Sequence, residues 1–393
     1  MWRHLAANAL TFFVVALFLI AGLVAWGQSR WAQPGPLAQA ICFQVESDST
    51  MRQVSRQLAE RGAVSSDWIF RAGSDYTDRT ARLKAGSFLI PASASMEDVS
   101  RVITGSGAST CGTEVVYLVG IGASSARVRE LDPATGDLEQ TASFDFTADE
   151  PVPPEYEAAR AEPGTTYWVR VIEGTTSWQV AQALDAIDIL EGEVGEVPAE
   201  GSLAPNTYDI EPGTDVAAVL DRMRSAQTRI LAEAWAARAE NLPFDTPEEA
   251  LTLASIVEKE TAIPEERPVV ASVLVNRIED GMRLQFDPTI IYGITRGQGV
   301  LDRPIRRSDI EGRTERELHG EVAYNTYVVD GLPAGPIANP GRESIAAVLN
   351  PEKTEALYFV ADGTGGHVFA NTLAEHNANV RKWYALRRQR GEM

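Results

Sequence analysis

A carboxyl group that keeps its proton near neutral pH needs apolar surroundings, and one stretch of this sequence offers them. Between residues 247 and 263, Leu253, Ile256 and Val257 recur at helical spacing, and Glu260 falls near the centre of their stripe, with Glu258 pointing away from it. Burial removes hydration from the ionised form, so a carboxyl there is held protonated and can serve as a general acid. Cleavage of a glycosidic bond requires such a proton donor. On spacing alone a structural role stands beside it, in which Glu260 pairs with an Arg from a neighbouring helix.

Other polar residues sit near turn-forming Gly and Pro. Asp287 precedes Pro288, where it either caps a turn or supplies the second carboxylate that a glycoside hydrolase usually needs. Gln285, Tyr324, Asn325 and Asn339 have the chemistry to hold the hydroxyl and amide groups of a sugar, or equally to satisfy loop backbone. His367, after Gly365 and Gly366, either lines the same cleft or is structural. Four His and two distant Cys suggest no metal site, and no cofactor is expected.

The elements that must position these residues follow from local signals. Thr246-Pro247-Glu248-Glu249 is a helix start: Thr246 caps, Pro247 fits the first turn, and Glu249 closes a capping box. The helix should run to about Ile263, because Pro264 disfavours helical backbone before it. Residues 267–277 predict another core helix, and residues 216–240 a long one broken at Asn241-Leu242-Pro243. Nearer the N-terminus, alternation at Ile41, Phe43 and Val45 predicts a strand, and Ser49-Thr50 a helix carrying Val54 and Leu58. A second helix from Ser66 and a strand over 84–90 complete a β-α-α-β unit. Its opening is echoed later: Val45-Glu46, Gln53-Val54 and Leu58 recur as Ile172-Glu173, Gln179-Val180 and Leu184. The interval 109–165 reads as an insertion, with an Asp/Glu/Pro-rich stretch at 145–163 that is partly flexible.

At 393 residues and 44% hydrophobic composition the chain can bury more than one core. A net charge of −20 and the lack of a long basic run argue against nucleic acid as a partner. No charged residue occurs from Leu5 to Trp26, long enough to cross a bilayer. The run exceeds the apolar core of a signal peptide, although Ala38-Gln39-Ala40 resembles a cleavage site; an uncleaved anchor with the N-terminus inside is the expectation. Cys42 and Cys111 flank the β-α-α-β segment, either as a disulfide permitted by export or as two buried thiols.

Read together, residues 254–261 (Ala-Ser-Ile-Val-Glu-Lys-Glu-Thr), the Leu284-Gln285-Phe286-Asp287-Pro288-Thr289 segment, Ala323 to Tyr327, Gly335 to Gly341 and Leu357 to Phe369 resemble the MltG (YceG-like) endolytic transglycosylases. The resemblance covers about residues 200–385 and implies that Glu260 is the catalytic residue of a murein lytic transglycosylase. It implies cleavage between MurNAc and GlcNAc within strands to leave 1,6-anhydro ends, and partnership with peptidoglycan synthases. The segment Glu200 to Tyr208 departs from the family pattern at Ala204 and Asn206. The fold expected is α+β: a cytoplasmic N-terminus over 1–8, a transmembrane helix over 9–27, a linker over 28–38 and a LysM-like α/β domain over 39–108. The insertion, a second small α/β subdomain over 166–199 and an α+β catalytic domain over 200–388 follow, with the catalytic part on the periplasmic side of the inner membrane.

Overall fold

A computed structural model of the chain describes residues 2–105, 111–148, 150–162, 164–312 and 321–392. They form two compact units, one of residues 1–115, 127–143 and 152–166, the other of residues 116–126, 144–151 and 167–393.

The first unit begins with helix α1 (Trp2–Ala32). Within it, Thr11–Ala32 is long and apolar enough to cross a membrane. The helix continues through Gln28 to Ala32, so part of the segment expected as a linker is helical. Next come β1 (Ile41–Val45), α2 (Met51–Glu60), α3 (Asp67–Tyr76) and β2 (Gly86–Ile90), the β-α-α-β order read from the sequence, followed by α4 (Met96–Ile103). β1 and β2 pair antiparallel with Phe43 opposite Phe88. Apolar residues two apart on the strands and three or four apart on the helices meet in one core of Phe43, Val54, Leu58, Phe70, Phe88 and Ile90. Cys42 on β1 and Cys111 are disulfide-bonded, with Cα atoms 5.5 Å apart.

The interval 109–165 is largely regular: β3 (Thr113–Val119), β4 (Ser124–Leu131), β5 (Leu138–Phe144) and α5 (Pro154–Ala161). Within the stretch expected to be partly flexible, Tyr156 and Ala159 of α5 are buried, which anchors that helix. Residues 109, 110, 149 and 163 of this interval lie outside the described residues.

In the second unit β3, β6 (Thr166–Val171) and β8 (Thr207–Ile210) are neighbours, with Val169 opposite Tyr208 in the antiparallel β6–β8 pair. Between β6 and β8 lie α6 (Ser177–Asp185) and β7 (Leu190–Glu191), the latter parallel to β9 (Thr214–Asp215). The internal echo has a local cause: Thr50 and Thr176 each cap a helix through a capping box, with Gln53 and Gln179 as partners. The helical part follows with α7 (Val216–Ala236), α8 (Pro247–Glu260), α9 (Arg267–Glu279), α10 (Asp287–Thr295), α11 (Arg307–Ile310) and α12 (Arg342–Leu349). A hairpin of β10 (Tyr358–Ala361) and β11 (His367–Ala370) and helix α13 (Leu373–Gln389) close the unit.

Helix α8 lies in the middle of this packing. All eight residues from Ala250 to Val257 are buried, in a core shared with Ile230 of α7, Val270 and Leu274 of α9, and Ile345 and Val348 of α12. The apolar stripe is therefore part of a helix buried all round. It ends at Glu260, three residues short of the expected stop. Thr261 is already extended (φ −139°, ψ 132°), and its hydroxyl accepts the Ile263 N–H at 3.1 Å and donates to Glu266 at 3.1 Å.

Candidate active site

The last three residues of α8 face three different surroundings, as steps of 100° around a helix dictate. Glu258, which the sequence places away from the apolar stripe, is nevertheless buried: one oxygen accepts the Gly341 N–H at 2.9 Å and the other lies 3.5 Å from Arg267. Lys259 donates to the Gly174 carbonyl at 3.2 Å, and burial lowers its pKa. Glu260 turns to an open cavity of about 480 Å³. Two of the three ends thus tie α8 to other segments of the chain, and the third is free for chemistry.

Burial pushes the Glu260 carboxyl up to about 7, with the Asp287 carboxylate adding to the effect and Arg277 opposing it. Its place at the C-terminal end of α8 acts in the same direction, because the helix dipole is negative there. Near neutrality the group therefore exists in both forms, as a residue that must give a proton and then take one requires.

Arg277 was not singled out by the sequence. It is a buried guanidinium on α9 that donates to the carbonyls of Leu357 (2.7 Å) and Leu284 and lies against the rings of Phe286 and Tyr358, 5.7 and 5.3 Å from their centroids. Held this way, the cation tempers Glu260 without ion-pairing with it among the described contacts. An arginine inside the run Val273-Leu274-Val275-Asn276-Arg277-Ile278 was the available signal.

Gln285 and Asp287 line the same cavity. Gln285 adopts left-handed backbone (φ 58°), unusual for a residue with a side chain, and its N–H donates to the Thr326 carbonyl at 3.1 Å. Asp287 is the first residue of α10 and does not cap it; its carboxylate faces the cavity and accepts the Tyr327 hydroxyl at 2.7 Å. Burial and this hydrogen bond raise the Tyr327 pKa, so the phenol stays a donor. A buried pair of hydroxyls, Thr289 and Thr326 at 2.9 Å, and the Phe286 N–H donating to Thr326 hold the two segments together.

The remaining candidates lie elsewhere. Tyr324 packs on Tyr292, centroids 4.9 Å apart, beneath Arg296, and does not line the cavity. Asn325 is buried; its amide donates to the Asp309 carbonyl at 2.9 Å and accepts the Tyr327 N–H at 3.0 Å. Asn339 is fully buried, donating to the Thr175 carbonyl (3.0 Å) and Ser177 hydroxyl (3.2 Å) and accepting the Leu203 N–H (3.0 Å). A sugar-holding role does not fit either asparagine, because their amides are occupied inside the scaffold. His367 is bound twice by Glu266, at its N–H and at Nδ1, both 2.7 Å, and meets Phe359 edge-on; Phe359, not His367, forms cavity wall. The histidine that does line the cavity is His376 of α13, whose pKa burial, then the Arg277 cation, lowers below the ordinary imidazole value. Among the described residues no cluster of three or more His, Cys, Asp or Glu could hold a metal ion.

The family model for the YceG-like family matches residues 138–382. An endolytic murein transglycosylase of Bacillus subtilis (strain 168) is 34% identical over 194 residues, 49% of this chain and 50% of that protein. The protein of that name from Streptococcus pneumoniae serotype 2 (strain D39) is 28% identical over 338 residues, 86% of this chain and 57% of its own length. The chain thus spans about half the length of the curated relatives it matches. A yceG-like protein of known crystal structure from Listeria monocytogenes aligns with a TM-score of 0.45 at 22% identity, over 86% of this chain and 98% of that one.

Proposed function

The chain belongs to the YceG-like family, and from that premise we propose that it cuts the glycan strands of murein internally as a lytic transglycosylase, with Glu260 as acid and then base. The observation that carries the proposal is the Glu260 carboxyl at the end of a buried helix, facing an open cavity that it shares with Asp287, with its pKa raised to about 7 by burial. Protonated Glu260 gives its proton to the oxygen between MurNAc and GlcNAc as that bond breaks. The resulting carboxylate then takes the proton of the MurNAc C6 hydroxyl, whose oxygen closes onto C1 to form the 1,6-anhydro ring. The proton gained equals the proton given, and no water is consumed. One carboxyl suffices because the nucleophile belongs to the substrate. Tyr358 and Phe359 offer ring faces to the sugars, while Gln285, Asp287 and Tyr327 offer polar atoms at the wall.

One observation favours a second reading, a lysozyme-type hydrolase. Asp287 is exposed in the same cavity, at the N-terminal end of α10, where helix geometry favours a negative charge. A carboxylate there could activate water or form a glycosyl intermediate. Mass spectrometry of muropeptides released from purified sacculi separates the two, with the Glu260→Gln variant as control. Anhydro-MurNAc ends from the wild type alone are expected; reducing MurNAc ends would transfer the reading to the hydrolase. Cleavage by neither protein would sink both in favour of a noncatalytic wall-binding anchor.

The remaining parts fit this activity. The apolar part of α1 supports a single-pass inner-membrane anchor, with residues 1–8 in the cytoplasm and the chain beyond α1 in the periplasm. The β-α-α-β segment is read as LysM-like, a carrier of strand binding, and residues 200–388 as the catalytic domain. Work on strands near the membrane would place the enzyme beside peptidoglycan synthases, where internal cuts end elongation.

A further inference from the structure

The end of α1 that leaves the apolar span is aromatic, and the first unit is packed directly against it. Trp26 stacks on Trp68 of α3 with ring centroids 6.2 Å apart, and the Arg30 guanidinium lies 5.9 Å from the centre of the Trp26 ring. Five residues further along α1, Trp31 packs on Phe70, at 5.9 Å, and over Gly73, where the ring leaves no room for a Cβ. From Trp26 to Trp31 and from Trp68 to Gly73 both helices advance by five residues. α3 therefore rises beside α1 in the same direction and at the same rate, with its N-terminal end level with Trp26.

That level matters because Trp26 closes the nearly all-apolar run of α1, after which Gly27, Gln28 and Ser29 lead to Arg30, the first charged residue beyond Leu5. Tryptophan at such a boundary partitions into the headgroup layer, with its ring against the acyl chains and its N–H among polar groups. Trp26 and Trp68 are 45% and 51% exposed, so the stacked pair presents a continuous aromatic face rather than a buried core. Arg30 adds a cation beside this face, of the kind that reaches lipid phosphates from the end of a membrane helix.

We propose that the N-terminal end of α3, through Trp68, lies in the headgroup layer beside Trp26, so that the β-α-α-β unit stands on the bilayer surface. The proposal rests on the reading of α1 as a membrane anchor. Its occupant is lipid, because the face is continuous with the helix that enters the bilayer. The far end of α3 is different: Tyr76 is eight residues beyond Trp68, about 12 Å at helical rise, and stays in water even though it is 83% exposed. A unit held this way keeps a fixed distance from the membrane, which a flexible linker would not provide.

The test uses the full chain, with its Cys42–Cys111 bond intact, in vesicles of phosphatidylcholine and phosphatidylglycerol. Asp67→Cys, Trp26→Cys and Tyr76→Cys are each labelled with an environment-sensitive fluorophore and challenged with lipids spin-labelled near the headgroup. Asp67→Cys leaves the tryptophan stack in place. Expected is loss of emission at 67 matching that at 26, and none at 76. Loss at 26 without loss at 67 overturns the seating but leaves the anchor standing. Equal loss at 67 and 76 overturns the upright placement of α3. If the chain fails to float with vesicles and 26 is not quenched, the anchor reading falls and the proposal with it. Adding Trp68→Ser to the Asp67→Cys chain should remove the quenching at 67 while the chain still floats.

Discussion

Replacing Glu260 by Gln should remove activity and stabilise the protein at alkaline pH, and the two effects share one cause. The carboxyl is raised from its ordinary value of 4.5 to about 7, first by burial and then by Asp287. Each pH unit by which a pKa is raised corresponds to about 1.4 kcal/mol, so ionised Glu260 costs the folded state at most about 3.5 kcal/mol. The sign follows from proton counting. Between 4.5 and about 7 the folded chain binds a proton that the unfolded chain has released, so stability falls as pH rises through this window. Below 4.5 both states are protonated and nothing is lost; above about 7 the full cost is present. Gln keeps the shape and carries no charge. Thermal unfolding of the wild type and of Glu260→Gln, followed from pH 4 to pH 9, should therefore give curves that coincide at the acid end. At the alkaline end they should separate in favour of the variant, by about 7–14 °C for a unit of this size if the whole cost is realised. Over the same range kcat/KM of the wild type should fall above about pH 7, as the acid form is lost, and the variant should be slower by about 10²–10⁴-fold. Melting curves that keep a constant separation at every pH would refute the reasoning, because they would mean that Glu260 is as well hydrated folded as unfolded. The proton inventory assigned to catalysis would then have no basis.

Gln285→Gly should raise stability by about 1 kcal/mol, since glycine tolerates the left-handed backbone at φ 58° without strain. The same change should raise KM for glycan strands by removing a side chain from the cavity wall; unaltered KM would take Gln285 out of the substrate site. Asn339→Ala should do the opposite, costing about 3 kcal/mol by leaving the Leu203 N–H and Thr175 carbonyl without their side-chain partner. KM of the folded fraction should hold, and a variant that melts like the wild type but binds glycan poorly would restore Asn339 to the substrate site. Cys42→Ser should destabilise the first unit by about 4 kcal/mol, the chain entropy of closing a loop over a separation of 69 residues. Calorimetry that instead showed the loss in the second unit's transition would contradict a disulfide confined to the first.

What the sequence could say about this protein divides along the reach of the interactions involved. Capping boxes at Thr50, Thr176 and Thr246 close within three residues, so their signals were complete in the local sequence. The stop of α8 was less so: Pro264 bounded it, but the actual end depends on the Thr261 hydroxyl and its bond to Glu266. Hydrophobic periodicity found that helix and misjudged its sides, because a helix buried from Ala250 to Val257 has no exposed face to contrast with. Glu258 and Glu260 differ in surroundings chiefly because Arg267 and the Gly341 N–H, from other segments, meet the first and leave the second to the cavity.

Loops carry even less local information. In Tyr324-Asn325-Thr326-Tyr327 every side chain can bind sugar, yet the one turned into the cavity is Tyr327, while Asn325 is spent on its own loop and Asp309. The choice is made by Thr326 joining Thr289, 37 residues away, a contact no periodicity encodes. The two histidines make the same point, since His367 is claimed by Glu266 across 101 residues and His376, on a helix with no fully buried residue, is the one that reaches the cavity. Arg277 belongs to this group: a lone cation in an apolar helix is legible as an anomaly, but its meaning depends on two carbonyls and two rings supplied from positions 284–286 and 357–358. Short-range chemistry therefore suffices to locate the helix that bears Glu260. The walls that decide what Glu260 can do are set by contacts that form only when the chain has folded.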